Sequence, residues 1–236
     1  MKNSAKIEKL NHQFENYSAN EIIQNVITNF KNEICFATSL GAEDQVITEM
    51  IASTGTNIDI FTLDTGRLFQ ETYDLYDKTT SRYKINIKIL FPNNRDVEKM
   101  VNNYGANLFY KDIEKRILCC HVRKTEPLKR AIHGKKFWIT GLRNEQSVSR
   151  INNKLFEFDE INDIIKINPL IHWSEREVWD YIKEKDIPYN VLHDKGFSSI
   201  GCMPCTRAVL PREDSRSGRW WWENKGHKEC GLHRIN

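Results

Sequence analysis

The sequence predicts an α/β protein built on an open parallel sheet flanked by helices. Three observations predict it. Short apolar runs of strand length alternate with segments of helical periodicity. The first, second and fourth of these runs open into polar loops, Thr38-Ser-Leu-Gly41, Asp64-Thr-Gly66 and Gly141-Leu-Arg-Asn144. After about residue 190 the periodicity is lost, and the remaining chain is rich in Gly, Arg, Cys and Trp.

The elements follow in order. Ser18 and Glu21 form a capping-box pattern, and Ile22, Ile23, Val26, Ile27 and Phe30 recur behind it at helical spacing. The run Ile34 to Ala37 reads as a strand. Behind the loop that follows it, Val46, Ile47, Met50 and Ile51 form one helical face. Residues 58–63 are a second strand, 68–81 a helix, and 85–91 a third strand closed by Pro92. A helix and a Lys-rich helical stretch then lead to Cys119. Phe137 to Thr140 form a fourth strand, and 154–168 read as a hairpin or two short strands, with Asn162-Asp163 as the turn. Ser174 and Glu177 are a second capping box; the helix they open carries Val178, Trp179 and Ile182, with Pro188 just beyond its end.

The 236 residues accommodate one large domain and a tail. The expected division is 1–205, an α/β body, and 206–236, a flexible C-terminal tail. A net charge of +3 is too weak to argue for nucleic acid. The first residues carry no signal-peptide pattern, and no stretch approaches the roughly 18 apolar residues of a membrane span. A cytoplasmic protein with no membrane contact is expected. In a reducing compartment the six cysteines point to metal binding or catalysis rather than to disulfides.

Cys202 and Cys205 form a C-x-x-C pair on a loop, and Cys119 and Cys120 are adjacent at a helix end. Four thiolates suit zinc or an iron–sulfur cluster, although adjacent cysteines are an unusual zinc spacing. One C-x-x-C alone could equally be a redox pair or incidental. Cys35, inside a strand, reads as a small buried hydrophobe. Cys230, in Glu229-Cys-Gly-Leu-His233, lies near basic groups that would favour its thiolate, the nucleophilic form; the alternative is an incidental tail cysteine. Arg216 and Arg219 stand three apart and can clamp an anion. Trp220, Trp221 and Trp222 either pack the tail down or stack against bases. The loops 38–44, 63–67 and 141–147 follow successive strands, which is where a nucleotide binds in a sheet of this kind. Arg123 and Lys124 adjoin the first cysteine pair.

The segments TSLGAED, LDTGR, CCHVRKTEPL, TGLRNEQSVSR, NPL, GCMPCT, SGRWWWE and ECGLH, in this order over residues 38–233, resemble the adenylyl-sulfate reductases, relatives of the phosphoadenylyl-sulfate reductases. ECGLH marks both groups; the CC and C-x-x-C pairs together mark the cluster-bearing branch. The resemblance implies an adenine-nucleotide alpha-hydrolase-like fold with a modified phosphate loop at 38–44. It implies a [4Fe–4S] cluster on Cys119, Cys120, Cys202 and Cys205, and Cys230 as the catalytic thiol. Lys124, Arg216, Arg219 and His233 would hold the phosphosulfate. Ser39, Gly41, Asp44, Leu63, Asp64, Thr65, Gly66, Arg67 and Arg143 would hold the nucleotide. The implied partners are adenylyl sulfate and thioredoxin, with no nucleic acid; a homo-oligomer is left open. Leu40 departs from the small polar residue expected in the loop. Rival readings are reduction of the 3′-phosphorylated substrate, an ATP-dependent adenylating or thiolating enzyme of the same fold, and a zinc protein binding nucleic acid.

Overall fold

The computed structural model describes residues 2–147, 150–210 and 212–223; Cys230 and His233 lie outside them. The chain forms two compact units. The first takes the described residues up to Thr62, with Asp74–Lys88 and Gly134–Asn190. The second takes Leu63–Tyr73, Ile89–His133 and the described residues from Val191 on.

The helices are α1 Lys2–Gln13, α2 Ala19–Phe30, α3 Ala42–Ser53, α4 Gln70–Tyr83, α5 Asn94–Tyr104, α6 Ile113–Cys120, α7 Glu126–Ile132 and α8 Glu175–Glu184. The strands are β1 Ile34–Ala37, β2 Asp59–Leu63, β3 Ile87–Leu90, β4 Phe137–Ile139, β5 Phe156–Asp159 and β6 Ile164–Ile167. One sheet orders them β3-β2-β1-β4-β6-β5. β1 runs parallel to β2 and β4, and β4 parallel to β6; β5 closes the edge antiparallel to β6. The parallel sheet and the 154–168 hairpin are therefore both present, the hairpin as its last two strands.

The central strands are continuous apolar runs because both their faces are covered: Ile34, Cys35, Phe36, Phe137, Trp138 and Ile139 are all buried. The core continues through Ile22, Ile23, Val26 and Ile27 of α2, Val46, Ile47, Met50 and Ile51 of α3, and Val178 and Ile182 of α8. Both capping boxes form, Ser18 with Glu21 and Ser174 with Glu177. Lys166, a charged residue within the buried β6, is neutralised by Asp159 of β5 at 2.8 Å. At the sheet edge, Asn11 of α1 donates to the Phe156 carbonyl at 2.9 Å and accepts from the Phe156 amide at 3.0 Å.

The second unit is built differently. It holds α5, α6, α7, single 3-10 turns at Leu108–Tyr110, His193–Lys195 and Met203–Cys205, and loops. Its core is small: Met100, Leu108, Phe109 and Trp220 pack with Cys119 and Cys205. A π-helical turn, His121–Thr125, joins α6 to α7 directly behind Cys120. Such wide turns are frequent at functional sites because they shift the phase of the side chains that follow. No described helix is long and apolar enough to cross a membrane.

Candidate functional site

In the first unit, β1 ends in the loop 38–41, and Gly41 caps α3. This places backbone N–H groups and a positive helix end at the sheet's C-terminal edge, where anions are favoured. The loop is held by its own helix. The Ser39 N–H and the Ser39 hydroxyl both donate to Asp44 Oδ2 at 2.6 Å. Burial pushes the Asp44 carboxyl up to about 6, and the Ser39 hydrogen bonds pull it the other way. The other Asp44 oxygen lies against Gly141, where an added Cβ would stand only 2.3 Å from it. Gly141 is thus fixed by a close approach from the neighbouring loop. Leu40 adopts φ 59° with its side chain buried. For a non-glycine residue this backbone costs of order 1–3 kcal/mol, so the residue that departs from the expected pattern is also the strained one. Arg143, at the end of the β4 loop, is buried; its Nε donates to Glu43 at 2.9 Å and its Nη1 to the Trp173 carbonyl at 3.2 Å.

In the second unit, Asp64 accepts from the Gly66 N–H at 2.7 Å and from the Tyr73 hydroxyl at 3.0 Å. Gly66 takes φ 69°, which its missing Cβ permits. Arg67 donates to the Ala106 carbonyl at 2.6 Å, and its own carbonyl accepts from the Met203 N–H at 2.8 Å. The 64–67 loop is therefore tied to the C-x-x-C loop. Thr65 carries the same link: its hydroxyl lies 3.2 Å from Cys202 Sγ, and its carbonyl accepts from buried Arg123 at 2.6 Å.

The thiols of Cys119, Cys202 and Cys205 gather in one cluster of this unit, with Cys120 adjacent on α6. All four are free. Burial pushes Cys205 up to about 12, with Cys202 adding to the rise and Lys124 and Arg219 opposing it. Burial also raises Cys119, against the pull of Arg123. Among the described residues no three His, Cys, Asp or Glu side chains are grouped to hold a metal ion. The donor chemistry nonetheless fits an iron–sulfur cluster, which takes cysteine thiolates and neutralises their charge. Cys35 is separate, buried in β1 and raised to about 12 by desolvation.

The start of the tail is docked on the same unit. Thr206 and Arg219 form an antiparallel bridge, and the Trp220 N–H donates to the Cys205 carbonyl at 3.1 Å. Arg219 is buried; it donates to Ser199 Oγ at 3.2 Å and stands over the Trp220 ring at 4.9 Å. An added Cβ at Gly201 would meet its guanidinium at 2.4 Å. Arg216 is half-buried, with its N–H donated to Asp214 at 2.8 Å. Trp220 is fully buried and Trp221 is 40% exposed, so the three tryptophans do not share one role.

Within each unit, then, the structure brings together Ser39, Gly41, Asp44 and Arg143 in one, and Thr65 of the 63–67 loop, Cys119, Cys202 and Cys205, Lys124 and Arg219 in the other. Sequence reading passed over Glu43, Tyr73, Arg116 and Glu223, all of which hold predicted site residues or their loops. Only Arg116 left a signal, since i to i+3 on a helix sets it on the face of Cys119.

The mainly parallel, helix-flanked sheet, set beside its structural neighbours, has an adenine-nucleotide alpha-hydrolase-like fold. FMN adenylyltransferase from Candida glabrata shares the fold at 17% identity and TM-score 0.57, over 80% of this chain and 64% of that one. Residues 33–208 match the phosphoadenosine phosphosulfate reductase domain model, and the chain belongs to that family. Proteins named adenosine 5′-phosphosulfate reductase are similar to it: that of Allochromatium vinosum is 52% identical over 203 residues, 86% of this chain and 79% of the relative. That of Agrobacterium fabrum is 50% identical over 198 residues, 84% of this chain and 76% of the relative. Among solved structures, phosphoadenylyl-sulfate reductase from Candida auris is 30% identical with TM-score 0.74, covering 86% of this chain and 96% of that one.

Proposed function

We propose that this protein reduces adenylyl sulfate to sulfite and AMP in the cytoplasm, with thioredoxin as electron donor, as a step of assimilatory sulfate reduction. The observation that carries this reading is the gathering of Cys119, Cys202 and Cys205 with Lys124 and Arg219 in one unit, in a chain about half identical to the named reductases.

Cys119, Cys120, Cys202 and Cys205 would hold a [4Fe–4S] cluster. Adjacent cysteines beside a C-x-x-C pair are an unusual spacing for zinc, and cysteine thiolates alone suit the iron–sulfur group. When bound, the cluster would supply fixed charge and hold its four cysteines together. The chain's own residues do the rest. Asp44 and Ser39 hold the loop that faces the nucleotide, and Arg143 is set by Glu43. Lys124, Arg216, Arg219 and His233 reduce the repulsion between an incoming thiolate and the phosphosulfate and stabilise charge on the departing phosphate.

Cys230 thiolate attacks the sulfate sulfur, forming an S–S bond as the S–O bond to phosphate breaks and AMP leaves. A thioredoxin thiolate then attacks the Cys230 sulfur of the S-sulfocysteine, and sulfite leaves with the bonding pair. The second thioredoxin thiol resolves the mixed disulfide and returns Cys230 as a thiol. Two thiols become a disulfide while sulfur is reduced by two electrons, so the balance closes without a change at the metal.

The test is sulfite release from adenylyl sulfate and from its 3′-phosphorylated form, with and without reduced thioredoxin. Preference for the phosphorylated nucleotide would shift the reading to the sister activity, and sulfite formed without any thiol donor would overturn the mechanism.

A further inference from the structure

A loop between a strand end and a helix N-terminus ordinarily offers its donors to an anion. The loop 38–41 turns them inward. The Leu40 N–H donates to the Thr38 hydroxyl at 3.0 Å, and the Ser39 N–H and hydroxyl both donate to Asp44 Oδ2 at 2.6 Å. Asp44 is buried, on the first turn of α3. Burial raises its carboxyl only to about 6, so it carries its charge at neutral pH. Glu43 stands beside it in the same turn, and two carboxylates already answer the positive end of the helix dipole.

The neighbouring cation is taken in the same way. Arg143 Nε donates to Glu43 Oε1 at 2.9 Å, with side-chain exposures of 6% and 20%. A further carboxylate, Glu145, lies 3.7 Å from Arg143 Nη1, and the Trp173 carbonyl accepts from that nitrogen at 3.2 Å. Arg150 is directed at the Gln146 side chain. Gly141 closes the arrangement, because an added Cβ there would meet both Asp44 and the Glu43 side chain. In this corner of the first unit, Glu43, Asp44 and Glu145 set three carboxylates against the guanidinium of Arg143.

In the proposed function the loop and Arg143 serve the nucleotide, while Lys124, Arg216 and Arg219 serve the phosphosulfate. The two rival substrates differ by one phosphate at the ribose 3′ position. A neutral 3′-hydroxyl can donate to a carboxylate or a carbonyl. A 3′-phosphate is an acceptor carrying further negative charge, and the donors it needs are already bonded. Discrimination by such a repulsive element is as effective as discrimination by a new attraction.

We propose that Glu43 and Asp44 are specificity-determining residues that reject a 3′-phosphorylated nucleotide. Asp44 acts by occupying the donors of Ser39, and Glu43 by holding Arg143. The inference rests on the proposed role of the loop in binding nucleotide and deepens it.

The experiment titrates the holoenzyme calorimetrically with AMP and with adenosine 3′,5′-bisphosphate, and measures sulfite release from the two sulfonucleotides alongside. The wild type should bind AMP about tenfold or more tightly than the bisphosphate. Glu43→Gln releases Arg143 and should narrow that ratio by roughly tenfold, the scale of one charge-assisted contact. Asp44→Asn should narrow it in the same direction, and Glu43→Asp, which keeps the charge, should stay near the wild-type ratio. A merely structural role would weaken both nucleotides alike and leave the ratio where it was. Where Asp44→Asn does not fold, the less buried Glu43 decides. Equal binding of the two nucleotides by the wild type, or an unchanged ratio in Glu43→Gln and Asp44→Asn, would overturn the inference. A preference for AMP without sulfite from either sulfonucleotide would instead overturn the proposed function and leave the discrimination standing.

Discussion

The two units solve the problem of holding a chain together by different means. The first rests on a large apolar core around β1 and β4, where strand and helix faces are buried in the pattern their sequences announce. The second has a core of a few side chains and relies on directional contacts: Arg123 to the Thr65 carbonyl, Arg67 to the Ala106 carbonyl, Arg116 to Glu223. Burial is tolerant of small errors, whereas directional contacts are not. The unit that carries the proposed chemistry is therefore the one with the smaller apolar core.

The largest effect expected from this contrast is at the thiols. Cys230→Ser should reduce sulfite release to background, while Cys35→Ala, in the buried strand β1, should leave turnover unchanged; equal losses would erase the distinction between the units. Next, Cys205→Ser should lower iron and acid-labile sulfide from about four each per chain. Hydrogen exchange should then accelerate at residues 89–133 and 191–223 but not in β1, β4 or α3, and uniform loosening would break the comparison. Third, Ile47→Ala in the first core should lower unfolding free energy by about 2–5 kcal/mol in denaturant titrations, with iron content unaltered.

Fourth, Lys124→Ala and Arg216→Ala should each lower kcat/KM about tenfold to a hundredfold, since charge-assisted contacts are worth roughly 1.5–3 kcal/mol. Arg219→Ala should add a loss of stability, because that side chain is buried and bonds Ser199 and the Ile200 carbonyl; identical stability in all three variants would place Arg219 with the other two. The smallest effect is one of pH. Asp44 is raised to about 6 by burial, so the folded state binds its proton more tightly than the unfolded chain. Stability should fall by about 1–3 kcal/mol in all as pH rises from about 4 to about 6. Asp44→Asn, which can still accept from Ser39, should flatten that slope in thermal melts.

What could be read from the sequence follows the same division. β1, α3, α8 and both capping boxes were legible because local pattern and tertiary burial agree in them. The 154–168 hairpin was legible because its turn residue, Asp163, accepts a left-handed backbone, φ 51°. The four grouped cysteines stood out by spacing alone. α1 was not legible: among the described residues its apolar contacts with the core are Ile7 and Leu10, and Asn11 ties it to a strand 145 positions away. The Glu223 partner of Arg116 and the Tyr73 hydroxyl on Asp64 leave no signal, since a contact across a loop-rich unit has no period in the sequence. The sequence offers Arg219 as a clamp for an anion, while its burial against Gly201 follows only from the folded chain.

The contact of Asn11 with Phe156 reaches beyond the folding of one chain. β5 is one of the two outer strands of the sheet, and an outer strand with unpaired amides and carbonyls is a template for another chain to add to. A single carboxamide occupies both backbone groups of Phe156, so α1 works as a stopper on the sheet. Removing it would expose a docking rail for a second copy, and the cost would be felt as precipitation at high protein concentration before any change in catalysis.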